Sequence, residues 1–322
     1  MYEILNPGSP NAKVERKIAA AVKKGAKELY VDKLGLMSLP ESLRQLKGLE
    51  VLFVTDNSLA DLPEWIGDLQ NLRVLELTNN ELVSLPASIA SLSSLRCLHI
   101  GGNRLTSLPD TIGNLSNLES LSISSNRLKT FPQSIGQLQR LELLQAMNNQ
   151  LESLPDSIGG LSALETLELQ ENRLVQLPSS LPKLGKLSML SLGNNSIAQL
   201  PGNVGNLSSL AELWLQNNKL IEVPESIGQL NRLQKLSLSG NQLGRLPDSI
   251  GNLGALQSLF LQGNLLADLP PTLRHLTNLK KLYLHQNPLL GLPCEILGAD
   301  VTGGQAVAPE TVLQYFFSAE RV

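Results

Sequence analysis

Leu72-Arg-Val-Leu-Glu-Leu-Thr-Asn-Asn80-Glu-Leu-Val-Ser-Leu-Pro86-Ala-Ser-Ile-Ala-Ser-Leu92-Ser-Ser decides how this chain folds, because the same 23-residue phrase runs along most of its length. Asn recurs at Asn57, Asn80, Asn103, Asn126, Asn149, Asn172, Asn195, Asn218, Asn241, Asn264 and Asn287, always in steps of 23, with no insertion. A Pro stands six residues beyond each of them, and Pro40 extends that series one step earlier. Counting from Ala26 gives twelve units, and positions 1, 4, 6, 11, 14, 18 and 21 are apolar in all of them. In a chain that is only 42% apolar, 84 apolar places out of 84 mark a buried lattice rather than a compositional accident.

Each position of the phrase has a physical reading. Apolar positions 4 and 6, as in Leu75 and Leu77, alternate with 3, 5 and 7, so each unit supplies one short parallel strand with one side turned inward. The Asn at position 9 falls where the chain turns in, and its amide can both donate to and accept from backbone groups of its own and adjacent turns. Pro at position 15 lacks an N–H and favours extended or turn backbone, so the return path is a short turn or a single helical turn. Gly at position 19, as in Gly67, Gly113 and Gly228, lets neighbouring return paths approach closely. No unit can bury its face alone, and the twelve are expected to stack as one quasi-one-dimensional body.

The pattern L-x-x-L-x-L-x-x-N-x-L-x-x-L-P-x-x-I-x-x-L resembles the 23-residue class of leucine-rich repeats, over residues 26–301. The resemblance implies an α/β repeat solenoid, a curved horseshoe with a parallel sheet on its concave face, short turns or helical turns on its convex face, and helical caps. Similar repeats occur in intracellular Ras-interacting scaffolds, the scribble group, plant intracellular Ras-group proteins and bacterial Roco proteins. Leu34 replaces Asn in the first unit, where the ladder has no neighbour to serve.

The ends do not follow the period. Residues 1–25 read as a helical cap, with Ser9 as N-cap, Pro10 in the first turn, Val14, Ile18 and Val22 on one stripe and Gly25 as the stop. Register is lost after Asp300, and residues 302–322 read as a second cap, a helix opened by Pro309 with Val312, Leu313, Phe316 and Phe317 at helical spacing. Leu292-Pro-Cys-Glu-Ile-Leu-Gly298 together with Pro309-Glu-Thr-Val-Leu-Gln-Tyr-Phe-Phe317 is loosely similar to the segment that closes repeat arrays in bacterial Roco-like proteins.

Composition narrows the function. A formal charge of -3 offers no basic excess for nucleic acid or an anionic membrane surface, and no run approaches the length of a membrane span. The start Met1-Tyr-Glu-Ile-Leu lacks the basic region and apolar core of a secretory leader. Two cysteines, Cys97 and Cys294, lie eight repeats apart and form no disulfide framework, which favours a reducing, cytoplasmic setting. A secreted bacterial effector acting in a host cytosol is the alternative. Phosphate-loop, zinc-protease, Cys-x-x-Cys and kinase motifs are absent. Gly185-Lys186 is followed by Leu187, Cys97 and Arg104 are spaced one residue too far for a cysteine phosphatase loop, and His99, His275 and His285 lack a second ligand at metal spacing. The expectation is no enzyme, no cofactor and no metal.

What remains is the outward strand face. Position 5 reads Tyr30, Phe53, Glu76, His99, Ser122, Gln145, Glu168, Ser191, Trp214, Ser237, Phe260 and Tyr283, holding five of the chain's eleven aromatic residues. Exposed aromatics dominate binding energy at interfaces, whereas the lattice does not need them there. Trp214, between Ser191 and Ser237, is expected to have both ring faces uncovered; it either binds or lies flat on the sheet. Tyr30 with Phe53, and Phe260 with Tyr283, can stack in pairs and support the caps. Glu119, Glu142, Glu165, Glu168 and Glu171 form an acidic centre, and Lys235, Lys280 and Lys281 a basic end. The partner-binding set is therefore Trp214, Met189, Gln216, Phe260, Gln262 and Tyr283, with the Asn series as a structural ladder. The expected function is a noncatalytic scaffold binding a protein on its concave face in intracellular signalling, with the resemblance implying a small GTPase or another signalling protein as partner. Two alternatives stand: the recognition part of a Roco-type GTPase or bacterial effector ubiquitin ligase, and a near-consensus or engineered repeat without an evolved partner.

Overall fold

Every repeat turns its position-4 leucine into the core from the middle of a three-residue strand. The computed structural model describes residues 9–297 and 307–318, and the chain falls into two compact units, Met1–Leu151 with Gly160–Leu164 and Glu152–Gly159 with Glu165–Val322. The N-terminal unit carries helix α1 (Pro10–Lys24) and strands β1 (Glu28–Tyr30), β2 (Val51–Phe53), β3 (Val74–Glu76), β4 (Cys97–His99), β5 (Ser120–Ser122) and β6 (Leu143–Gln145). These pair in parallel, in chain order, each shifted from the last by one repeat, as in Leu52↔Leu75. The C-terminal unit repeats the arrangement with β7 (Thr166–Glu168), β8 (Met189–Ser191), β9 (Glu212–Trp214), β10 (Lys235–Ser237), β11 (Ser258–Phe260) and β12 (Lys281–Tyr283), followed by α2 (Cys294–Leu297) and α3 (Pro309–Phe317).

The return paths are single turns of 3-10 helix, as the prolines imply. Pro86 holds extended backbone (φ -67°, ψ 150°) and its carbonyl accepts from Ile89 N–H at 3.1 Å, opening the turn Ala87–Ser91 that buries Ile89. With the exceptions of Ala26, Leu177, Leu289, Leu292 and Ile296, every described lattice position is buried. Burial is worth about 1.5–3 kcal/mol per large aliphatic side chain, so the lattice is the main source of stability. Three of the exceptions fall in the last repeat. There Pro288 opens an early turn, Pro288–Leu290, which buries Leu290 and leaves Leu289 65% exposed, against the expected register. Ala299 and the boundary at 301–302 lie outside the described residues.

Both caps form. Ser9 Oγ accepts from Ala12 N–H at 3.2 Å, Pro10 begins α1, and Gly25 ends it in the left-handed region. The apolar stripe differs from the expected one: Val14, Ile18 and Ala21 are buried, while Val22 is 38% exposed. At 100° per residue, Ala21 stays on the face of Val14 and Ile18, whereas Val22 has rotated to its rim. In α3, Val312, Leu313 and Phe316 are buried, and the Arg274 guanidinium lies 4.5 Å from the ring centre of the half-buried Phe317.

One regularity has no counterpart in the apolar pattern. Position 8 has positive φ in all twelve repeats, at Lys33, Asp56, Asn79, Gly102, Ser125, Asn148, Glu171, Asn194, Asn217, Gly240, Gly263 and Gln286. In this conformation the Asn79 N–H donates to the carbonyl of Gly101 in the next repeat at 2.8 Å, and the chain turns so that position 9 points inward.

Candidate binding face

The Asn side chains close the inner edge of each strand. Asn80 Nδ2 donates to the Val54 carbonyl of the preceding repeat at 2.8 Å and to its own repeat's Leu77 carbonyl at 3.0 Å, while Oδ1 accepts from Leu59 N–H at 3.1 Å. Asn103, Asn126, Asn149, Asn218, Asn241, Asn264 and Asn287 reproduce the bonds within their own repeats and are buried. Asn172 is also buried and donates to Leu169, whereas Asn195 and Asn57 are half-buried. Where Leu34 stands in place of Asn, Asn57 Oδ1 accepts from both Leu34 and Leu36 N–H, each at 3.0 Å. These amides face the interior and serve the fold.

On the outer face of the N-terminal unit, Tyr30 and Phe53 lie 5.1 Å apart, and the Tyr30 hydroxyl donates to Glu28 at 2.7 Å, which raises its pKa. A polar group the sequence reading did not single out sits on β3, β4 and β5. Glu76 Oε2 meets His99 Nδ1 at 2.8 Å, His99 Nε2 meets Ser120 Oγ at 3.1 Å, and Glu76 Oε1 accepts from the Thr78 hydroxyl and N–H. Burial pushes the Glu76 carboxyl up, but the His99 and Thr78 hydrogen bonds outweigh it and hold it below its ordinary value. The connectivity is that of nucleophile, base and orienting acid. Yet the nearby N–H groups of Arg96, Cys97, Glu119 and Ser120 are all spent on the sheet ladder, leaving none of them to stabilise an oxyanion. Cys97, beside them, has its thiol pushed up by burial and by Glu119, the opposite of an activated nucleophile. Both Cys97 and Cys294 are free, and among the described residues no group of three His, Cys, Asp or Glu side chains could hold a metal ion.

The C-terminal unit carries the aromatic strip. Trp214 is not uncovered as expected: the Phe260 ring reaches across the buried Ser237 to within 6.0 Å of the indole, tilted by 33°. Ser237 is too small to separate the two rings, so they meet across two strand spacings. Phe260 in turn stacks on Tyr283 at 5.2 Å and 4°, as the sequence suggested, and Tyr283 lies 6.5 Å from His285. Trp214 Nε1 donates to Glu212 at 3.0 Å, and Glu212 pairs with Lys235 at 2.8 Å. The expected basic end therefore rests on the exposed Lys280 and Lys281, because Lys235 is neutralised. In the acidic group, Glu119 is likewise neutralised by Arg96 at 3.0 Å, while Glu142, Glu165, Glu168 and Glu171 lie in the two units' adjoining sequence. Met189, Gln216 and Gln262 are half-buried on the same side as the rings, and the Oε1 atoms of both glutamines are buried without a hydrogen-bond partner.

The description "Leucine-rich repeat region" matches residues 31–150 and 126–219, and "Leucine rich repeat" matches residues 233–289. The chain belongs to the leucine-rich repeat family. Among solved structures it is similar to a leucine-rich repeat protein of Leptospira interrogans, at 30% identity and a TM-score of 0.60, covering 84% of this chain and 93% of that one. A TDR receptor is 30% identical with a TM-score of 0.75 over 83% of this chain, and a plant peptide hormone receptor in complex with RGF2 is 26% identical with a TM-score of 0.58 over 80%. The leucine-rich repeat chain spans about half of those two receptor chains, 49% and 51%. No curated protein matches it significantly. Among the described residues no helix is long and apolar enough to cross a membrane.

Proposed function

We propose that this leucine-rich repeat protein is a noncatalytic scaffold that binds a partner protein on the concave sheet face of its C-terminal unit, within intracellular signalling. The observation that carries this reading is the unbroken ring strip Trp214, Phe260 and Tyr283, half-exposed on a face the core does not require. The two free cysteines are in keeping with a reducing, cytoplasmic setting. A small GTPase as partner rests on the resemblance to Ras-group repeats alone. That the chain spans about half of two receptor chains also favours a second reading, in which it is the recognition part of a longer protein.

Affinity capture with mass spectrometry, comparing the wild type with Trp214→Ala, tests the face. The substitution is expected to weaken a captured partner by about 2 kcal/mol or more with little loss of stability, and Gln229→Ala on the return path to do neither. Because Trp214 and Phe260 touch, Phe260→Ala should overlap with it and the double variant should lose less than the sum. Normal binding by Trp214→Ala, or cross-links confined to the proline side, overturns the assignment.

A further inference from the structure

The formal charge of -3 hides a division between one helix and the rest of the chain. Helix α1 holds five Lys and Arg against the single Glu15, a surplus of four positive charges, which leaves 21 Lys and Arg against 28 Asp and Glu elsewhere. At 100° per residue the buried stripe of Val14, Ile18 and Ala21 sets the opposite, outward side, where the exposed residues are Lys13, Arg16, Ala19, Ala20, Lys23 and Lys24. The outer face thus consists of cations separated by methyl groups. Glu15 is half-buried on one flank, and on the other Lys17 Nζ donates to the Tyr30 carbonyl at 2.8 Å. In the repeats that follow, a cation is repeatedly answered by the neighbouring repeat, as Lys27 is by Glu50 at 3.1 Å, Arg44 by Asp68 at 3.0 Å and Arg96 by Glu119 at 3.0 Å. Among the described residues no carboxylate pairs with Lys13, Lys23 or Lys24. Lys23 and Lys24 suit the negative end of the helix dipole, but the first turn holds no acid to suit the positive end, and Lys13 and Arg16 follow it directly. The helix's own electrostatics therefore account for only half of the pattern.

We propose that the outer face of α1 rests the protein on an anionic phospholipid bilayer, its cations against the lipid phosphates. The contact is peripheral and uses none of the residues proposed for the concave face. From Lys13 to Lys24 the face runs about 16 Å along the helix axis, twice the screening length of about 8 Å at physiological ionic strength, so its two ends act on separate lipids. Nucleic acid suits the face less well. A lone helix offers no ring on which a base could stack, and Arg16, its one planar donor, already turns Nε to the Ala12 carbonyl at 3.1 Å. A folded acidic protein calls for aromatic or large aliphatic anchors, where this face has only alanine. A bilayer asks only for cations held along one line. Repulsion from the acidic remainder is damped, since in the N-terminal unit β3 already stands two strand spacings, about 10 Å, behind β1.

The test is sedimentation of the full chain with vesicles of phosphatidylcholine alone, or of phosphatidylcholine with about one third phosphatidylserine. The expected result is binding to the mixed vesicles only, lost near 1 M salt, where the screening length falls to about 3 Å. Each Lys or Arg near an anionic surface is worth about fivefold in partitioning, so Lys23→Gln with Lys24→Gln should weaken binding about 25-fold. Lys13→Gln with Arg16→Gln, which spares the helix dipole, should do the same, and circular dichroism checks the fold of both variants. Lys280→Gln with Lys281→Gln changes the net charge equally and should leave binding as it was. An equal loss in that control, or no binding to the mixed vesicles, overturns the proposal. So does tighter binding to a labelled DNA duplex than to the vesicles at the same salt through the same lysines, which would make α1 a nucleic-acid contact.

Discussion

Asn126 donates to the carbonyls of Ile100 and Ile123, each at 3.0 Å, and accepts from Leu105 N–H at 2.9 Å, so three backbone groups from two repeats depend on one buried amide. Asn126→Ala leaves them without partners and should cost about 1–3 kcal/mol in urea unfolding. The half-buried Asn57 should cost less when replaced by Ala, since water reaches the freed groups. Unchanged stability for Asn126→Ala would contradict the inward role of position 9. Glu76 sets a pH-dependent contribution. Its folded pKa lies below the ordinary 4.5, so the native state stabilises the ionised carboxylate. That contribution is complete above the unfolded pKa and drains away as pH falls through the folded one. Glu76→Gln should therefore flatten the loss of stability below about pH 4.5, measured by denaturant midpoints between neutral and acid pH; an unchanged slope would remove Glu76 as its source. The Asn role was legible because a repeated amide at a turn has one economical use. The Glu76, His99 and Ser120 chain was not, because it joins unlike side chains from three successive repeats and breaks the period.

At the scale of strands and turns, repetition places the elements but not every contact between them. Gly67 lies in a return turn where an added Cβ would stand 2.5 Å from the Ser88 carbonyl oxygen of the next turn, which is backbone and cannot yield. Gly254 has nothing within 4 Å. Gly67→Ala should thus cost about 1–3 kcal/mol, whereas Gly254→Ala should be near neutral; thermal unfolding of the two variants checks the contrast, and equal effects would refute the close approach. The sequence made this packing visible as a recurrent Gly. It did not reveal the left-handed turn at position 8, since that turn is filled by Lys33, Asp56, Ser125, Glu171 and Gln286 as well as by Asn and Gly. Nor did nearest-neighbour spacing foresee that Phe260 reaches Trp214, because a large ring bridges two strand spacings when the residue between is Ser237. The last repeat departs for a local reason, the early turn at Pro288, which the period alone could not weigh.

For the molecule as a whole, the period settles the fold because every repeat poses the same burial problem, while nothing in the period demands Trp214 or Lys281. The proposed binding face is legible only as the residues the lattice leaves unexplained. The bonds that cross between repeats are also short in reach: among the described residues the Asn side chains join groups 21 to 26 residues apart across neighbouring repeats, as from Asn103 to Leu82 and Leu77. Stability then accrues repeat by repeat, each depending on its neighbours. Ile18 in α1 is only 1% exposed and belongs to the N-terminal unit alone. Ile18→Asp places a carboxylate against that apolar surface and should detach the cap, at a cost of several kcal/mol confined to nearby repeats. Native-state hydrogen exchange should show protection falling most at Leu29 and Leu52, less at Leu98, and not at Leu236 or Leu259. Uniform loss along the chain would mean that the repeats unfold as one cooperative body, and the nearest-neighbour account of this solenoid would have to be abandoned.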